Sequence, residues 1–281
     1  MNYEQLTTDV EGTFFLIGIL MLGIEVLKAV FNRSLKKGIV LDMVASVSTQ
    51  IPYLLVEVLL MGFVYYAYVI ISDELISWKM TGGLSVALFT LLAADLVYYL
   101  EHRLAHEVRL FWTQHAVHHS SRYMNILVSI RFGPFETILS AILHFPLILL
   151  GFPAEMVFFS IIAVLAYQTW IHTELIGSLG LFDSVFNSPA NHRVHHGCDE
   201  KYIDKNYGGI LIVWDRIFGT YQKEEETPRY GLKRDFDSVN PLKVWFSEIP
   251  ALLRDLGRTR SIKEFIQRLF LRPDWQPMET N

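Results

Sequence analysis

Cysteine is almost absent from this sequence, which has a single thiol, Cys198, and therefore no intramolecular disulfide. A lone cysteine also excludes a four-cysteine iron–sulfur or zinc site, and we expect this one to be inert. Flavin, nicotinamide and phosphate-loop fingerprints are missing too, since Gly208 and Gly209 lie in neither a dinucleotide nor a Walker pattern. The net charge of −5 gives no sign of nucleic-acid binding. Any electrons that this chain uses are therefore expected to come from an external donor.

Charge is scarce as well: charged residues make up 19% of the chain and hydrophobic residues 52%, with a mean hydropathy of +0.30. That composition is too apolar for a water-soluble protein. The apolar residues concentrate in four stretches, at 14–31, 43–71, 83–100 and 137–170. A membrane span needs about 20 apolar residues, so the first three stretches qualify. The fourth is broken by glycine and proline at 150–154, which predicts a hairpin of two short helices.

The predicted fold is all-α, a polytopic membrane bundle of about 4–5 membrane helices with a helical cap made from residues 101–136 and 173–281. Arg33, Lys36 and Lys37 follow the first span, whereas Asp73 and Glu74 follow the second. By the positive-inside rule the first loop and the cap are then cytoplasmic. We expect one integrated unit with N-terminal membrane helices (1–84), a histidine-rich part (85–222) and a C-terminal cytoplasmic tail (223–281). Within the tail, segment 258–270 suits an amphipathic helix that lies on the membrane surface or packs on the cap.

Histidine gives the clearest functional signal, because eight of the ten histidines fall into three tight clusters. One cluster has the spacing His-x3-His and two have His-x2-His-His, spacings that direct imidazoles toward one side of a helix. About 0.013 copies of His-x2-His-His are expected by chance at this histidine frequency, so two copies are not accidental. Eight converging imidazoles predict a site for two transition-metal ions, with iron, zinc, copper and nickel all open. The eight are His102, His106, His115, His118, His119, His192, His195 and His196.

Other polar residues are candidates for the same site. His172 ends an apolar helix on the same side and is predicted as a ninth ligand, with Gln168 one turn before it as a ligand or outer partner. Asp95 lies on the helical stripe that leads to the first cluster and is costly inside a span. Asn206 and Asp215 follow the third cluster, and metal-bound histidines usually donate their second N–H to such groups. The alternatives are hydrogen bonding inside the bundle and turn or helix-cap roles.

The last histidine, His144, is isolated in an apolar run before a proline. An isolated histidine in such a run is more often a hydrogen-bonded core residue than a metal ligand. We therefore leave it out of the predicted metal site.

The three clusters, in this order and with membrane spans around them, resemble the fatty acid hydroxylase and sterol desaturase superfamily of integral-membrane di-iron oxygenases. The resemblance covers roughly residues 85–222, a histidine-box domain, and includes segments 206–208 and 214–220 after the last cluster. Within the superfamily, segments 101–107, 170–177 and 191–197 are most similar to the alkylglycerol monooxygenases, which use tetrahydrobiopterin to cleave ether lipids. Many superfamily members have a histidine where this chain has Gln168.

By that resemblance the eight clustered histidines would bind two irons, and His172 would lie close to them. It implies a monooxygenase that uses O2 to hydroxylate a lipid C–H bond, with an ether lipid as the expected substrate and a sterol or fatty acyl chain as the alternative. Electrons would come from tetrahydrobiopterin or from another external donor, such as a cytochrome or a ferredoxin. A metal transporter and a zinc hydrolase are two further classes, although ligands beyond the ends of the apolar runs disfavour transport.

Overall fold

The computed structural model describes residues 2–277, without the side chain of Pro52; the end of the predicted tail, 278–281, lies outside the described residues. Every regular element in this part of the chain is helical, which confirms the all-α prediction. The helices are α1 (Tyr3–Phe31), α2 (Lys37–Ile70), α3 (Leu84–Glu107), α4 (Arg109–His119), α5 (Glu136–Leu149), α6 (Ala154–Gln168), α7 (Phe182–Val185), α8 (Pro189–His195), α9 (Val213–Phe218), α10 (Pro241–Trp245), α11 (Ile249–Leu256) and α12 (Ile262–Phe270). Three short helical turns add Ile71–Leu75, Ile126–Ile130 and Thr169–Ile171.

In the part of the chain that the structure describes, four helices are long and apolar enough to cross a membrane. They are α1, α2 with its continuation (Lys37–Leu75), α3, and α6 with the turn that follows it (Ala154–Ile171). The predicted hairpin in the fourth apolar stretch is present, but its first helix, α5, has only 14 residues and is too short to span. Leu59 and Phe63 on α2 are 78% and 71% exposed, as a lipid-facing surface requires. These features confirm the predicted membrane bundle.

The centre of the bundle lies where α3 packs against α6, and α1 also packs against α6. Ala94, Ile148 and Val157 are completely buried there. Such close packing fixes the direction of α3, which continues past its apolar part into the cap. The last turns of α3 therefore carry the first histidine cluster from the membrane core into the cap.

The C-terminal helices pack on the cap. The backbone N–H of Arg109, at the start of α4, donates to the Leu271 carbonyl oxygen at 3.0 Å, and its guanidinium forms an ion pair with Asp255. The other side of α12 is apolar and open, with Ile262 81% exposed. Packing on the cap is thus present, and contact of the open side with the membrane surface stays a prediction.

Candidate metal centre

Four segments of the chain bring nine histidines to one place. A four-residue spacing puts the two histidines of α3 on one side of that helix, and α4 carries three more near its end. Helix α8, capped by the Ser188 side chain and begun by Pro189, carries two histidines and ends at a third. His172 directly follows the turn after α6. All nine side chains are buried.

The nine histidines form two groups, and within each group one ring nitrogen of every member lies within 4.8 Å of the others. The five-histidine group contains His102, His106, His115, His119 and His195. The four-histidine group contains His118, His172, His192 and His196. The structure therefore brings together every histidine predicted as a ligand and divides them in a way that the spacing alone did not predict.

In the five-histidine group, the ring nitrogens that face the centre carry lone pairs rather than hydrogens. His102 Nδ1 donates to the Tyr207 carbonyl oxygen at 2.9 Å, and His195 Nδ1 donates to that of Lys205 at 3.0 Å. Because a carbonyl oxygen only accepts, each neutral ring keeps its proton on Nδ1 and turns the Nε2 lone pair inward. His102 Nε2 lies 3.0 Å from His115 Nε2. Lone pairs at this spacing repel one another unless a cation lies between them.

The same orientation recurs at other members. His115 Nδ1 donates to Glu136 Oε1 at 2.5 Å, so its Nε2 lone pair also faces inward. In the four-histidine group, His172 Nδ1 donates to the Gln168 carbonyl oxygen at 2.7 Å, and its Nε2 lies 2.8 Å from His192 Nε2. Two nitrogens bound at right angles to one ion, with bonds of roughly 2.0–2.1 Å as for zinc, lie about 3 Å apart. The donor set of each group thus fits one metal ion.

Burial favours the neutral form of several of these histidines. It lowers the pKa of His172 to about 4 and that of His195 to about 3, with a further contribution from neighbouring imidazoles. A neutral imidazole is the form that binds a metal, so neither ring has to lose a proton before it binds one at neutral pH. Burial also lowers the pKa, well below the ordinary histidine value, of His118, His119, His192 and His196.

Within residues 2–277, two cavities reach the nine histidines, and none of these residues lines both. The first, which we call the apolar cavity, has a volume of about 320 Å³ and lies between α2, α3, α5 and α6. Met61, Ile142 and Leu165 are among its walls. Its histidines are His102 and His115 of the five-histidine group and His118, His172 and His192 of the four-histidine group. Walls of this kind suit an alkyl chain.

The second, the charged cavity, has a volume of about 400 Å³ and lies among the cap segments. It reaches three histidines of the five-histidine group and one of the four-histidine group: His106, His119, His195 and His196. Trp112 and Cys198 line it as well. Its six charged lining residues are Asp204, Lys233, Arg234, Glu248, Arg272 and Asp274.

The histidine groups lie in a stretch that known proteins share. Residues 87–220 match the family model described as Fatty acid hydroxylase. This chain carries a fatty acid hydroxylase domain. The superfamily recognised from the histidine spacing is thereby confirmed. With its four apolar helices of spanning length, the hydroxylase-domain protein is an integral membrane protein.

Curated relatives share the hydroxylase domain. Human alkylglycerol monooxygenase is 38% identical over 186 residues, which are 66% of this chain and 42% of the human protein. Ornithine lipid hydroxylase of Rhizobium tropici is 31% identical over 199 residues, 70% of this chain and 57% of the relative. The Delta(7)-sterol 5(6)-desaturase of Eremothecium gossypii is 30% identical over 154 residues, 53% and 41% of the two chains. The match thus spans less than half the length of the human protein, and no solved structure gives a significant match.

Two carboxylates beside the centre of the hydroxylase domain were missed by the sequence analysis. Glu136 holds His115, but no spacing rule links it to a histidine cluster. Asp204 Oδ1 lies 3.5 Å from His106 Nδ1, and Arg272 forms an ion pair with Asp204. Asp204 follows the third cluster closely, so the signal that selected Asn206 and Asp215 was available for it as well.

The predicted supporting residues of the hydroxylase domain lie one contact further out. Gln168 meets His172 through its backbone carbonyl oxygen rather than its side chain. Asp215 accepts from the backbone N–H of Tyr207 at 2.8 Å, and Tyr207 in turn holds a histidine of α3. Asn206 donates to carbonyl oxygens of two neighbouring segments. The Asp215 and Asn206 side chains thus fix the backbone near the rings.

Asp95 has a related role in the hydroxylase domain, because it attaches a loop to α3. Its carboxylate accepts from the N–H groups of Ile210 and Leu211 at 2.6 and 3.1 Å, and from Trp214 Nε1 at 2.9 Å. Glycine is required at the contact, since a Cβ at Gly209 would lie 2.5 Å from Asp95 Oδ1. This arrangement corresponds to the alternative of a charge hydrogen-bonded inside the bundle.

Proposed function

We propose that this protein is a membrane-bound di-iron monooxygenase that hydroxylates the alkyl carbon next to the ether oxygen of a glyceryl ether lipid. The nine histidines are its iron ligands. The observation that carries the proposal is that both histidine groups contribute to the lining of an apolar cavity beside the membrane helices. The 38% identity to human alkylglycerol monooxygenase supports the ether lipid. The sterol desaturase relative supports the second candidate, a sterol or fatty acyl substrate.

Two ferrous ions supply, when bound, the activation of dioxygen and the cleavage of an unactivated C–H bond, which side chains do not achieve alone. One oxygen atom enters the lipid and the other leaves as water, so each turnover takes two electrons and two protons from a donor. We assign that role to tetrahydrobiopterin. The hydroxylated ether is a hemiacetal, which collapses to a fatty aldehyde and a glycerol.

The chain's own contribution is to hold the lipid and exclude water. The apolar walls suit the alkyl chain, and the volume of the cavity is in the range of ligand sites. Two buried oxygens in its lining, Glu101 Oε2 and Gln168 Oε1, have no partner within hydrogen-bond distance among the described residues, although His144 Nδ1 lies 3.7 Å from Glu101 Oε2. Buried polar atoms are normally paired, so these two are candidates to accept from hydroxyl groups of a bound lipid. They favour a substrate with free hydroxyls close to the reacting carbon, as a glyceryl ether has.

The side of the membrane is part of the proposal. The basic residues Arg33 and Lys36 follow the first span and support a cytoplasmic position for that loop and for the metal centre. Cys198 tests this directly, since it is the chain's single thiol and lies at the centre. A membrane-impermeant maleimide is expected to label it in inverted vesicles and not in right-side-out cells. Labelling only in intact cells contradicts the orientation.

The activity is tested with detergent-solubilised, iron-loaded protein, a 1-O-alkylglycerol and tetrahydrobiopterin in air. Mass spectrometry is expected to detect a fatty aldehyde that is absent without oxygen and absent in His195→Ala. Protein that holds two irons but converts only sterols or fatty acyl chains supports the second candidate. Oxygen-independent hydrolysis would overturn the oxygenase assignment.

A further inference from the structure

The charged cavity is not needed by the lipid, because the apolar cavity already offers an alkyl chain a place beside five of the histidines. It nevertheless ends at the same centre, through His106, His119 and His195 of the five-histidine group. Its six charged residues all lie outside the four helices of spanning length. Charged groups are costly to bury beside a lipid tail without a partner, so this lining suits a polar ligand better than an alkyl chain. The six charged residues therefore favour a water-soluble ligand.

The proposed reaction requires such a ligand. Conversion of a C–H bond to C–OH with dioxygen consumes a donor DH2 and yields water and D, so two electrons and two protons must reach the centre from outside the chain. One cysteine and no recognised nucleotide fingerprint leave the chain without its own carrier. A donor that enters by the charged cavity does not compete with the lipid for space.

The lining indicates the chemistry of the donor. Trp112 lies beside two of the histidines, with its ring centroid 5.1 Å from that of His106 and 5.7 Å from that of His119, and offers an aromatic wall to a flat ring. Glu248 pairs with Arg234 at 2.6 Å, so carboxylates and guanidinium groups are mixed along the wall. Mixed charges suit a neutral ring with both N–H donors and a carbonyl acceptor, rather than a polyanionic dinucleotide.

We infer that the charged cavity is the binding site for a small reduced pterin, which delivers electrons on the side of the five-histidine group while the lipid occupies the apolar cavity. This assignment rests on the proposed oxygenase function. A cavity of about 400 Å³ is in the range of small-molecule sites and is too small to admit a redox protein. Asp204 and Glu248 bind the N–H edge of the ring, and Trp112 contacts its face.

Cys198 provides the test, because it lines the charged cavity and is the chain's single thiol. Burial raises the pKa of this thiol, so alkylation with a maleimide is followed at mildly alkaline pH. The full protein in detergent is labelled in the presence of 7,8-dihydrobiopterin, a pterin that is not a donor. At about ten times its Kd the pterin is expected to slow labelling about tenfold, since only free protein reacts. A 1-O-alkylglycerol is expected to leave the rate unchanged.

Equilibrium dialysis of the same pterin supplies a second readout. Glu248→Gln is expected to weaken pterin binding about tenfold and to leave lipid binding unchanged. Ile142→Trp, which narrows the apolar cavity, is expected to do the reverse. Failure of dihydrobiopterin to bind, binding unaffected by Glu248→Gln, or protection of Cys198 by the lipid overturns the assignment.

Electron delivery is then separated from oxygenase chemistry. Protein labelled at Cys198 that retains its iron is expected to lose pterin-driven turnover but to form aldehyde in a single turnover after reduction with dithionite. Full pterin-driven turnover of labelled protein overturns the inference, and Cys198→Ser shows that the reagent acts through this thiol. If unlabelled protein forms no aldehyde after dithionite reduction, the proposed function fails, while dialysis and protection still decide what the charged cavity binds.

Discussion

Replacing Glu136 tests how the metal centre is held in place. Glu136 Oε1 accepts from His115 Nδ1 at 2.5 Å, and the two side chains are only 18% and 6% exposed. Such a carboxylate fixes the tautomer of a metal-binding histidine, and its loss typically costs 10- to 100-fold, about 1.4–2.8 kcal/mol, in metal affinity or activity. We expect about tenfold weaker iron binding in Glu136→Gln, whose amide oxygen still accepts, and about 100-fold in Glu136→Leu.

The assay is iron retention during titration with a chelator, followed by turnover of protein reloaded with excess iron. Glu155→Gln is the matched control, since Glu155 is an exposed carboxylate on α6 with no contact to a histidine among the described residues. The order of iron affinity in Glu136→Gln and Glu136→Leu separates the hydrogen bond that orients His115 from the negative charge of the carboxylate. Iron binding in Glu136→Leu as tight as in the wild type would refute the idea that this carboxylate holds the ring.

His195→Ala removes one nitrogen from the five-histidine group and is expected to lower bound iron and abolish turnover, measured by metal analysis beside the aldehyde assay. The iron-free protein is expected to lose thermal stability as the pH falls from about 6.5 toward 4, because His172 has a pKa of about 4 when folded whereas the unfolded chain takes up this proton near pH 6.5. One such group lowers the free energy of unfolding by about 1.4 kcal/mol for each pH unit in this range. A melting temperature that is constant over the range contradicts the assignment of buried, neutral rings. Gly209→Ala places a Cβ 2.5 Å from Asp95 Oδ1 and is expected to lower the free energy of unfolding by about 1–3 kcal/mol. Gly12→Ala, whose Cβ has no atom within 4 Å, is expected to leave it unchanged, and the melting temperatures of the two variants test this.

Helical geometry explains why so much of the centre was predictable. Residues four apart on a helix are rotated by about 40° from one another and residues three apart by about 60° in the other direction. In each His-x2-His-His cluster the pair four apart, such as His115 and His119, enters one group. The histidine three positions after the first, His118, enters the other group. The spacing thus encodes a site for two ions, although which helix faces which group depends on packing between helices.

The remaining parts depend on contacts between distant segments. Glu136 approaches His115 because α5 packs across α4, a contact that no local pattern announces. The same is true of the Tyr207 and Lys205 carbonyl oxygens, since any residue type offers a backbone acceptor. The sequence also left the number of spans open. The apolar composition of the α5 segment suits a membrane span, but its 14 residues are too few to cross the hydrocarbon core.

Each of the three histidine clusters also faces both cavities. On α4, His118 faces the apolar cavity and His119 the charged cavity, and on α8 His192 and His195 divide in the same way. The two groups touch, because the rings of His119 and His196 stack with centroids 4.4 Å apart. Under the proposed function, a lipid and a water-soluble donor would approach one centre from separate cavities. The His-x2-His-His spacing of α4 and α8 supplies ligands to both groups, whereas the His-x3-His spacing of α3 supplies the five-histidine group alone, although its His102 lines the apolar cavity and its His106 the charged cavity.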